Sequence, residues 1–273
     1  MLSLVPTPIG NLEDISQRSL NALLEAELIF CEDTRVTKKL LNLLATKYNL
    51  DFSNKEFKSF HSHNEKEILK TLTKDTFTKN VVYCSDAGMP GVCDPGALLV
   101  DWCIKNEVSY DVIAGANAVI TAYAMSGFNS SEFTFFGFLD HKGASRASKL
   151  EEILQNSRVS ILYESPHRLL KLLEELNKQA PEKTIFLAKE ISKKFQKTYK
   201  NSAKNLYNEL KNSEIKGEWV VVFEANLKQG LNLILEDILP LTLPPKEKAK
   251  LIAKLTGKNI KDIYQELLDK IQN

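Results

Sequence analysis

Short apolar runs alternate with amphipathic segments through the first 113 residues of the chain. The apolar runs are rich in strand-forming residues, and in the segments between them the apolar side chains recur at helical spacing. We predict strands over Leu2–Val5, Leu28–Cys31, Val81–Cys84 and Val108–Ile113. We predict helices over Ser16–Ala26, Val36–Leu44, Glu65–Thr73 and Ala97–Lys105. This alternation of strands and helices predicts a parallel α/β sheet.

A second series of the same kind begins after a break near Ile113–Gly115. Its predicted strands are Phe133–Phe138, Val159–Tyr163, Thr184–Ala188 and Trp219–Glu224, and its predicted helices are Ala147–Gln155, Leu169–Gln179 and Ala203–Lys211. Farther on, three prolines precede two amphipathic segments, Lys246–Leu255 and Ile260–Ile271. We expect an α/β fold of two domains, residues 1–113 and 114–225, followed by a helical tail over residues 226–273.

Composition places the chain in the globular class. Hydrophobic residues make up 43% and charged residues 26% of the 273 residues. Lys and Arg total 36 against 35 for Asp and Glu, so the net charge of +1 gives no global electrostatic case for nucleic-acid binding. Any RNA surface must therefore be a local patch, and the lysine-rich stretch Lys189–Lys204 is the best one. The alternative interpretation of that stretch is a solvated face.

The cysteines and histidines indicate neither a disulfide framework nor a metal site. The four cysteines lie far apart without a C-x-x-C pair, and His61 and His63 have no third ligand nearby in the sequence. We therefore expect reduced, buried thiols and no metal. The N-terminus lacks the basic and apolar regions of a signal peptide, and no apolar run approaches membrane-spanning length. These features predict a cytoplasmic protein without a membrane partner.

The segment Ser85–Gly96, which follows a predicted strand and leads into a helix, carries the strongest candidate chemistry. Its three glycines and two prolines make a rigid, bare turn, and glycine permits close approach of the backbone to a ligand. Asp86 and Asp94 would repel a triphosphate, and the lysine of a phosphate-binding loop is absent from the segment. The segment therefore favours a ligand with a cationic centre and ribose hydroxyls. A tight turn whose aspartates only cap helices is the alternative.

Three further loops follow predicted strands: Pro6–Asn11, Glu32–Arg35 and Tyr163–Arg168. The first is stiffened by two prolines and can border a substrate cleft or serve as a plain connection. In the second, Arg35 can contact phosphates at the rim of a site, although a polar residue beside it can simply cap the next helix. In the third, His167 near a helix start is a conceivable base, although a lone histidine in a surface turn is the commoner role.

Four stretches of the chain resemble one known family. They are Thr7–Ile15, Glu32–Arg35, Ser85–Gly88 with Asp94–Gly96, and Tyr163–Arg168. In this order they resemble the ribosomal RNA small subunit methyltransferase I family, and the similarity covers nearly the whole chain. The resemblance implies the two-domain tetrapyrrole methylase fold with a small C-terminal helical appendage, and S-adenosyl-L-methionine held between the domains. It also implies a homodimer that methylates the ribose 2′-oxygen of a decoding-centre cytidine in 16S rRNA, as free rRNA or in the small ribosomal subunit.

The resemblance implies which residues form the site. The cofactor-binding set is Asp86, Ala87, Gly88, Ala116, Asn117, Ala118, Tyr163, Gly217 and Glu218. The RNA-binding set is Pro8, Asn11, Arg18, Arg35, Arg168, Lys193 and Lys194. Residue type makes Glu164, His167 and Glu32 the candidate general bases. Because a strong anion touching the sulfonium would stabilise the ground state more than the transition state, we expect Asp86 to bind the ammonium or ribose end of the cofactor.

Three departures from the family pattern bear on these expectations. Ala114–Asn117 stands where the family usually reads Pro-Gly-Pro-Ser, which predicts a looser cofactor loop. Cys93 replaces a usual serine, and Lys193–Phe195 replaces Lys-Leu-His. Two other functions stay open: a methylase of the same fold acting on a small molecule or a protein side chain, and a non-catalytic ribosome-assembly factor. A nicotinamide dehydrogenase is disfavoured because no G-x-G-x-x-G follows the first strand.

Overall fold

The computed structural model describes residues 1–226 and 235–269 of the chain. The chain divides into two compact units, Met1–Asn226 and Leu227–Asn273. Apolar clusters fill the first unit around two separate sheets, and a smaller cluster lies in the second unit. Among the described residues, no helix combines the length and the apolar character needed to cross a lipid bilayer.

The first sheet is five-stranded and wholly parallel, which confirms the predicted parallel sheet. Its strands are β1 (Leu2–Leu4), β2 (Leu28–Cys31), β3 (Glu56–Ser59), β4 (Val81–Cys84) and β5 (Tyr110–Val112), in the spatial order β3-β2-β4-β1-β5. The accompanying helices are α1 (Gln17–Glu25), α2 (Thr34–Tyr48), α3 (Glu65–Thr71) and α4 (Ala97–Lys105), with short 3-10 helices at Leu12–Asp14 and Lys74–Phe77.

Both faces of the parallel sheet are covered, which explains why β2 and β4 are apolar and buried at every position. In β2, Ile29 and Cys31 lie in the same cluster as apolar side chains of α1 and α2. The alternate residues Leu28 and Phe30 lie in a cluster with Leu99 of α4. A strand buried on two faces cannot alternate apolar and polar residues. The loops that leave the carboxyl ends of these strands are therefore held over a closely packed layer.

The second sheet mixes parallel and antiparallel pairs. Its strands are β6 (Phe133–Phe138), β7 (Val159–Glu164), β8 (Thr184–Lys189), β9 (Lys197–Ser202) and β10 (Trp219–Phe223), in the order β6-β7-β10-β8-β9. β6 and β7 are parallel, whereas β10 is antiparallel to both of its neighbours and β9 is antiparallel to β8. The helices are α5 (Ala118–Ser126), α6 (Ala144–Gln155), α7 (Pro166–Gln179) and α8 (Ala203–Leu210).

The two faces of the mixed sheet pack against different helices. One cluster joins alternate residues such as Leu162 and Val221 to α6, α7 and α8. The other joins Ile161 and Val222 to Val119 of α5. Because β10 runs against β7, the carboxyl end of β7 and the amino end of β10 lie side by side, with Glu164 paired to Trp219. This antiparallel pair brings together, at one edge of the sheet, the loop that follows β7 and the loop that precedes β10, which are far apart in the sequence.

Every predicted strand and helix is present in the described residues, and four elements were missed. Two of these, β3 and β9, are edge strands of mainly polar sequence, so they lack the apolar signal of a buried strand. Helix α5 is apolar on nearly all sides and shows no helical period. The fourth, α9 (Leu235–Ile238), is a single turn.

The second unit contains α9, α10 (Pro245–Thr256) and α11 (Ile260–Asp269). Its buried residues include Ile238, Ile252 and Ile263. This confirms the two predicted tail helices, except that residues 270–271 of the second prediction lie outside the described residues. The division of the first unit into domains at residue 113 stays a prediction, since both sheets lie within Met1–Asn226.

Candidate active site

A cavity of about 350 Å³ lies in the first unit, between loops that follow strands of the parallel sheet and strands of the mixed sheet. The residues that line it from the cofactor-binding prediction are Ala87, Gly88, Asn117, Ala118, Tyr163 and Glu218, and the candidate base Glu164 lines it as well. Asp86, Ala116 and Gly217 belong to the same prediction but are not among the lining residues. The cavity lies where loops from the carboxyl edge of the parallel sheet meet β7 and β10, as expected for an α/β fold.

Two loops of the parallel sheet are hydrogen bonded to each other beside the cavity. The amide of Thr7 donates to the carbonyl of Gly88, and the amide of Gly88 donates to the carbonyl of Thr7, each at 3.0 Å. Gly88 has a φ of 86°, which L side chains rarely adopt, and a Cβ there would lie 3.2 Å from Cγ2 of Ile9. Gly88 therefore lets the backbone line the cavity at a position where a side chain would intrude.

The loop after β1 also touches loops that come from farther along the chain. A Cβ on Gly10 would lie 2.8 Å from the backbone nitrogen of Lys193, and a Cβ on Gly115 would lie 2.4 Å from Cγ of Pro6. The side chain of Asn117 accepts hydrogen bonds from Val119 and Ile120 at the start of α5. The Ala114–Asn117 segment, which lacks the usual family prolines, is thus fixed by glycine packing and by a helix cap. Whether the cofactor loop is looser than in the family stays a prediction.

Three carboxylates, which we call the carboxylate cluster, lie at the carboxyl edge of the parallel sheet: Glu32, Asp86 and Asp94. The amide of Asp86 donates to Oε1 of Glu32 at 3.1 Å, and Oδ1 of Asp86 accepts from the amide of Asp33 at 3.2 Å. In the described residues, no Lys, Arg or His nitrogen lies within 4.0 Å of a carboxylate of the cluster. Backbone amides therefore hold Glu32 and Asp86, and no ion pair holds any of the three carboxylates in the described residues.

Burial and mutual repulsion change the acidity of the cluster. The pKa of Glu32 is raised to about 7, first by burial and then by the charges of Asp94 and Asp86. Burial also raises the pKa values of Asp86 and Asp94. The hydroxyl of the fully buried Tyr83 has no hydrogen-bond partner among the described residues, and burial followed by the charges of Glu32 and Asp94 raises the pKa of Tyr83. The cluster can therefore exchange a proton near neutral pH.

Glu164, a candidate base that lines the cavity, is held by two arginines. Nε of Arg168 lies 2.8 Å from its Oε1, and Nη1 of Arg146 lies 3.8 Å from its Oε2, while Oε1 accepts a hydrogen bond from the amide of Ser165 at 2.9 Å. Burial raises the pKa of Glu164, and the two guanidinium groups oppose that rise. The two guanidinium groups favour a structural role for Glu164, while its buried Oε2 has no hydrogen-bond partner among the described residues, so the prediction of a general base here stays a prediction.

The remaining candidate base and one predicted RNA contact also lie apart from the cavity. His167 is exposed in the first turn of α7 and is not among the lining residues. Arg168 has a side chain only 14% exposed, and its Nη1 donates to the carbonyl of Leu139 at 2.9 Å. The interior contacts of Arg168 run against the expectation that it faces RNA.

The remaining polar groups do not suggest a metal centre. No group of three or more His, Cys, Asp or Glu side chains in the described part of the chain could hold a metal ion. The predicted reduced thiols are present, and Cys31, Cys84 and Cys103 are buried as expected. Cys93 is exposed and lines the cavity, so the prediction of burial was wrong at this position.

Comparison with known proteins decides the family. Residues 1–207 match the family model described as Tetrapyrrole (Corrin/Porphyrin) Methylases. A relative from Campylobacter fetus named "Ribosomal RNA small subunit methyltransferase I" is 47% identical over 98% of this chain and 100% of its own length. A relative of the same name from Helicobacter pylori strain J99 is 42% identical over 98% of each chain. The chain belongs to the ribosomal RNA small subunit methyltransferase I family of tetrapyrrole methylases.

The fold of the chain is accordingly the tetrapyrrole methylase fold, as the resemblance implied. A solved structure of uroporphyrin-III C-methyl transferase from Thermus thermophilus, complexed with S-adenyl homocysteine, superposes with a TM-score of 0.54. It is 15% identical and covers 81% of this chain and 96% of its own. This likeness shows the shared fold.

In this methylase, two residues that were predicted to bind RNA, Arg18 and Lys193, form ion pairs with nearby carboxylates. Nη2 of Arg18 contacts Asp111 at 2.7 Å and lines a separate cavity with Met1 and Asn80, at the amino ends of β1 and β4. This is the opposite edge of the parallel sheet from the carboxylate cluster. Nζ of Lys193 contacts Glu190 at 3.0 Å and Glu218 at 2.9 Å. Neither side chain is available as a free cation beside the active-site cavity.

The other members of the RNA-binding prediction are more accessible. The side chain of Arg35 is 89% exposed, and its contact with Asp33 lowers the pKa of Asp33 to about 2. Lys194 is exposed, whereas Pro8 is half-buried. Asn11 is exposed, and its side chain accepts a hydrogen bond from the amide of Glu13. Lys194 is thus the exposed cation of the set that has no ion pair among the described residues, whereas Arg35, like Arg18, is exposed but paired with an aspartate.

The apolar part of the cavity in this methylase was not predicted from the sequence. Residues that line it without having been predicted include Met89, Val92, Phe138, Ile191 and Val220. Phe138 and Val220 lie in strands that were predicted, but the sequence of a strand does not show which of its ends borders a ligand. One signal was available, because Met89 and Val92 belong to the glycine-rich segment that the sequence analysis singled out.

Proposed function

We propose that this chain transfers a methyl group from S-adenosyl-L-methionine to the ribose 2′-oxygen of a decoding-centre cytidine in 16S rRNA. The observation that carries the proposal is Glu32, a half-buried carboxylate whose pKa is about 7, without an ion-pair partner in the described residues. It is not itself among the residues that line the cavity, but it belongs to a cluster with Asp94, which does line it. A base of this acidity can accept the proton of a ribose hydroxyl at neutral pH. The names of the relatives support ribosomal RNA as the substrate, which would place the reaction in the cytoplasm.

The cavity suits S-adenosyl-L-methionine. Its volume of about 350 Å³ lies within the usual range of ligand pockets, roughly 300–1,000 Å³. Apolar side chains such as Met89 and Phe138 suit the adenine ring, and the bare backbone at Gly88 permits close approach. When bound, S-adenosyl-L-methionine supplies a methyl carbon activated by the adjacent sulfonium. Besides Gly88, the residues proposed to hold it are Ala87, Asn117, Ala118, Tyr163 and Glu218.

The carboxylate proposed to bind the cofactor changes from Asp86 to Asp94. Asp94 lines the cavity, whereas Asp86 does not and its Oδ1 already accepts from the amide of Asp33. We assign Asp94 to the ribose hydroxyls or the ammonium group. An anion at the sulfonium itself would be weakened as a partner when the sulfur loses its charge, and would therefore oppose the reaction. Asp86 has a positioning role, because its amide fixes Glu32.

Glu32 is the general base in this proposal. Its Oε1 accepts from the Asp86 amide, so Oε2 is the atom left to accept the proton. Burial and the charges of Asp94 and Asp86 favour the protonated state of Glu32, which makes the deprotonated carboxylate a stronger base than an ordinary glutamate. The chain contributes further by holding the hydroxyl and the methyl donor in line, since correct placement supplies much of the rate.

The proposal includes a homodimer. β5 is an edge strand of the parallel sheet, and its side chains Tyr110 and Val112 are exposed. Exposed apolar groups on an edge strand support association with another chain. Measurement of the molar mass in solution tests this part separately.

The experiment is transfer of labelled methyl from S-adenosyl-L-methionine to small ribosomal subunits that lack decoding-centre modifications, followed by mapping of 2′-O-methyl positions. We expect label at one decoding-centre cytidine, strongly reduced by Asp94→Asn. Asp111→Asn, at the opposite edge of the sheet, serves as the control and should keep full transfer. Cofactor binding without transfer to RNA would indicate a small-molecule or protein substrate, and absence of cofactor binding would indicate a non-catalytic assembly factor.

A further inference from the structure

Phe195 is the most exposed large apolar side chain among the described residues, at 70%. It lies in the loop Glu190–Gln196 between β8 and β9. A phenylalanine left in water forgoes the free energy that burial of its ring would give. An exposed aromatic ring on a loop beside an active site is therefore a candidate for contact with a ligand.

The loop presents Phe195 on a fixed backbone. The amide of Glu190 donates to the carbonyl of Glu218 at 2.9 Å, and the amide of Glu218 donates back to Oε1 of Glu190 at 2.9 Å. Within the loop, the amides of Lys193 and Gln196 donate to the carbonyls of Glu190 and Lys193. Glu190 and Ser192 have φ values of 52° and 66°, an unfavourable conformation that persists only where surrounding contacts enforce it.

The charges around the ring suit a polyanion. Nζ of Lys194 lies 5.7 Å from the centre of the Phe195 ring, and Nζ of Lys197 lies 4.6 Å from that of Tyr199. In the part of the chain that the structure describes, no carboxylate lies within 4.0 Å of the Lys194 or Lys197 ammonium. Lys193 differs, since its ammonium is held by two glutamates. An aromatic ring beside unneutralised lysines is the arrangement that binds single-stranded nucleic acid.

The loop joins this surface to the active site. Ile191 is buried and lines the cavity, and Phe195 follows it by four residues. Four residues span at most about 14 Å, even when fully extended. The exposed ring therefore lies within a short distance of the place where we propose that the ribose is methylated.

We propose that Phe195 stacks on an unpaired RNA base near the methylated nucleotide, while Lys194 contacts a neighbouring phosphate. This inference rests on the proposed function and adds a residue that selects a single-stranded or splayed RNA segment. RNA loops and ends offer unstacked bases of this kind, whereas the bases of a regular A-form helix are stacked on each other.

The test is a series of variants at residue 195 of the full chain, assayed on small subunits lacking the modification. Loss of one base–aromatic stack by Phe195→Ala should raise KM for the subunit about 5- to 150-fold with kcat nearly unchanged. Phe195→Leu should behave like the alanine variant, because leucine is apolar but cannot stack, and Phe195→Trp should restore the wild-type KM. The affinity for S-adenosyl-L-methionine should be the same throughout.

A second measurement keeps the two proposals separate. Fluorescence of the Phe195→Trp chain should be quenched by a short single-stranded RNA, whether or not methyl transfer occurs, and Lys194→Gln should weaken that binding. Lys178→Gln, on the far part of α7, is the control lysine. If RNA quenches the fluorescence of the Phe195→Trp chain but the wild-type chain transfers no methyl group, the proposed function is contradicted and the stacking proposal is not. An unchanged KM in Phe195→Ala, or rescue by leucine as full as by tryptophan, would overturn the stacking role, and the latter would indicate a protein contact.

Discussion

The two sides of the active-site cavity treat their carboxylates differently. On the side of the parallel sheet, Glu32 and Asp94 belong to a cluster with raised pKa values and no ion pair in the described residues. On the side of the mixed sheet, Glu164 contacts Arg168, and Glu218 contacts Lys193. Glu32, whose pKa is about 7, can change protonation state near neutral pH, whereas Glu164 and Glu218 are held in place by basic side chains that shape the site.

The topology of each sheet explains this difference. Parallel strands bring all their carboxyl ends to one edge, so Glu32 and Asp86 meet there with few long basic side chains between them. In the mixed sheet, an antiparallel neighbour places the start of β10 beside the end of β7. Helix α6 then supplies Arg146 from behind, and α7 supplies Arg168. The chemistry is thus expected on one side of the cavity and the mechanical support on the other.

The largest expected effect is the loss of the proposed base. Glu32→Gln should lower kcat by about 10²- to 10⁴-fold, the range for removal of a general base. In the wild-type chain, kcat should rise with pH through about 7, because Glu32 must lose its proton before it can accept another. The variant should lack this limb of the pH profile.

The matched control for Glu32 is Glu13→Gln, which removes an exposed glutamate paired with Lys47. Its kcat and pH profile should match those of the wild type. A kcat for Glu32→Gln within threefold of wild type would assign the proton to another group.

The next effect concerns the ion pairs of the mixed-sheet side. Arg146 is 3% exposed and contacts both Glu164 and Glu175, so Arg146→Ala should lower the free energy of unfolding by about 3–5 kcal/mol. Lys178→Gln breaks an exposed pair with Glu174 and should cost no more than about 0.5 kcal/mol. Denaturant unfolding measures both, and equal losses would contradict the anchoring role of Arg146.

A smaller effect is expected at the glycine that lines the cavity. Gly88→Ala places a side chain at a φ of 86° and should cost about 1–2 kcal/mol of stability. The new Cβ would also press on Ile9 at 3.2 Å, so affinity for S-adenosyl-L-methionine should fall as well. Gly143→Ala is the control, since Gly143 has a φ of 92° with open space around it. Both variants should lose stability in thermal melts, and calorimetry should find weaker cofactor binding in Gly88→Ala alone.

The smallest effect is a gain in stability from the same substitution that removes the base. The pKa of Glu32 is higher in the folded chain than in the unfolded one, so the folded state loses stability as pH rises from about 4.5 to about 7. Glu32→Gln should therefore stabilise the fold at pH 8, by about 1 kcal/mol after allowance for solvent screening. The gain should shrink to a small fraction at pH 5 and vanish below about pH 4, where the wild-type carboxyl is neutral in both the folded and the unfolded chain. An equal gain at both pH values would trace it to another cause.

The sequence predicted the parallel sheet and the loops beside the cavity well, because buried strands and glycine-rich turns leave strong local patterns. It did not predict β9, whose lysines look like a solvated surface until β8 is seen beside it. The ion pair at Glu164 was hidden for a similar reason, since the chain around it does not reveal that Arg146 reaches it from another helix. Local sequence patterns predict individual helices and buried strands. Ion pairs and edge strands depend on residues that are distant in the sequence.

For the same reason, the sequence could not show whether Asp86 or Asp94 lines the cavity. Both belong to the segment that the sequence analysis singled out, and both are ordinary turn residues by type. Which of them faces the ligand depends on the backbone conformation of that segment, where Asp86 turns toward the amide of Asp33 and Asp94 toward the cavity. Residue type alone could not distinguish them.

The reciprocal hydrogen bonds between Thr7 and Gly88 bear on how the cavity opens. Each loop protects the amide of the other, and because both bonds join the same two residues, separation of the loops exposes both amides to exchange with deuterium. The loops after β1 and β4 should therefore open as one unit, and a bound nucleoside at Gly88 would slow exchange at Thr7 without touching it. Binding of a ligand at one loop would then slow deuterium exchange at an amide of the other loop.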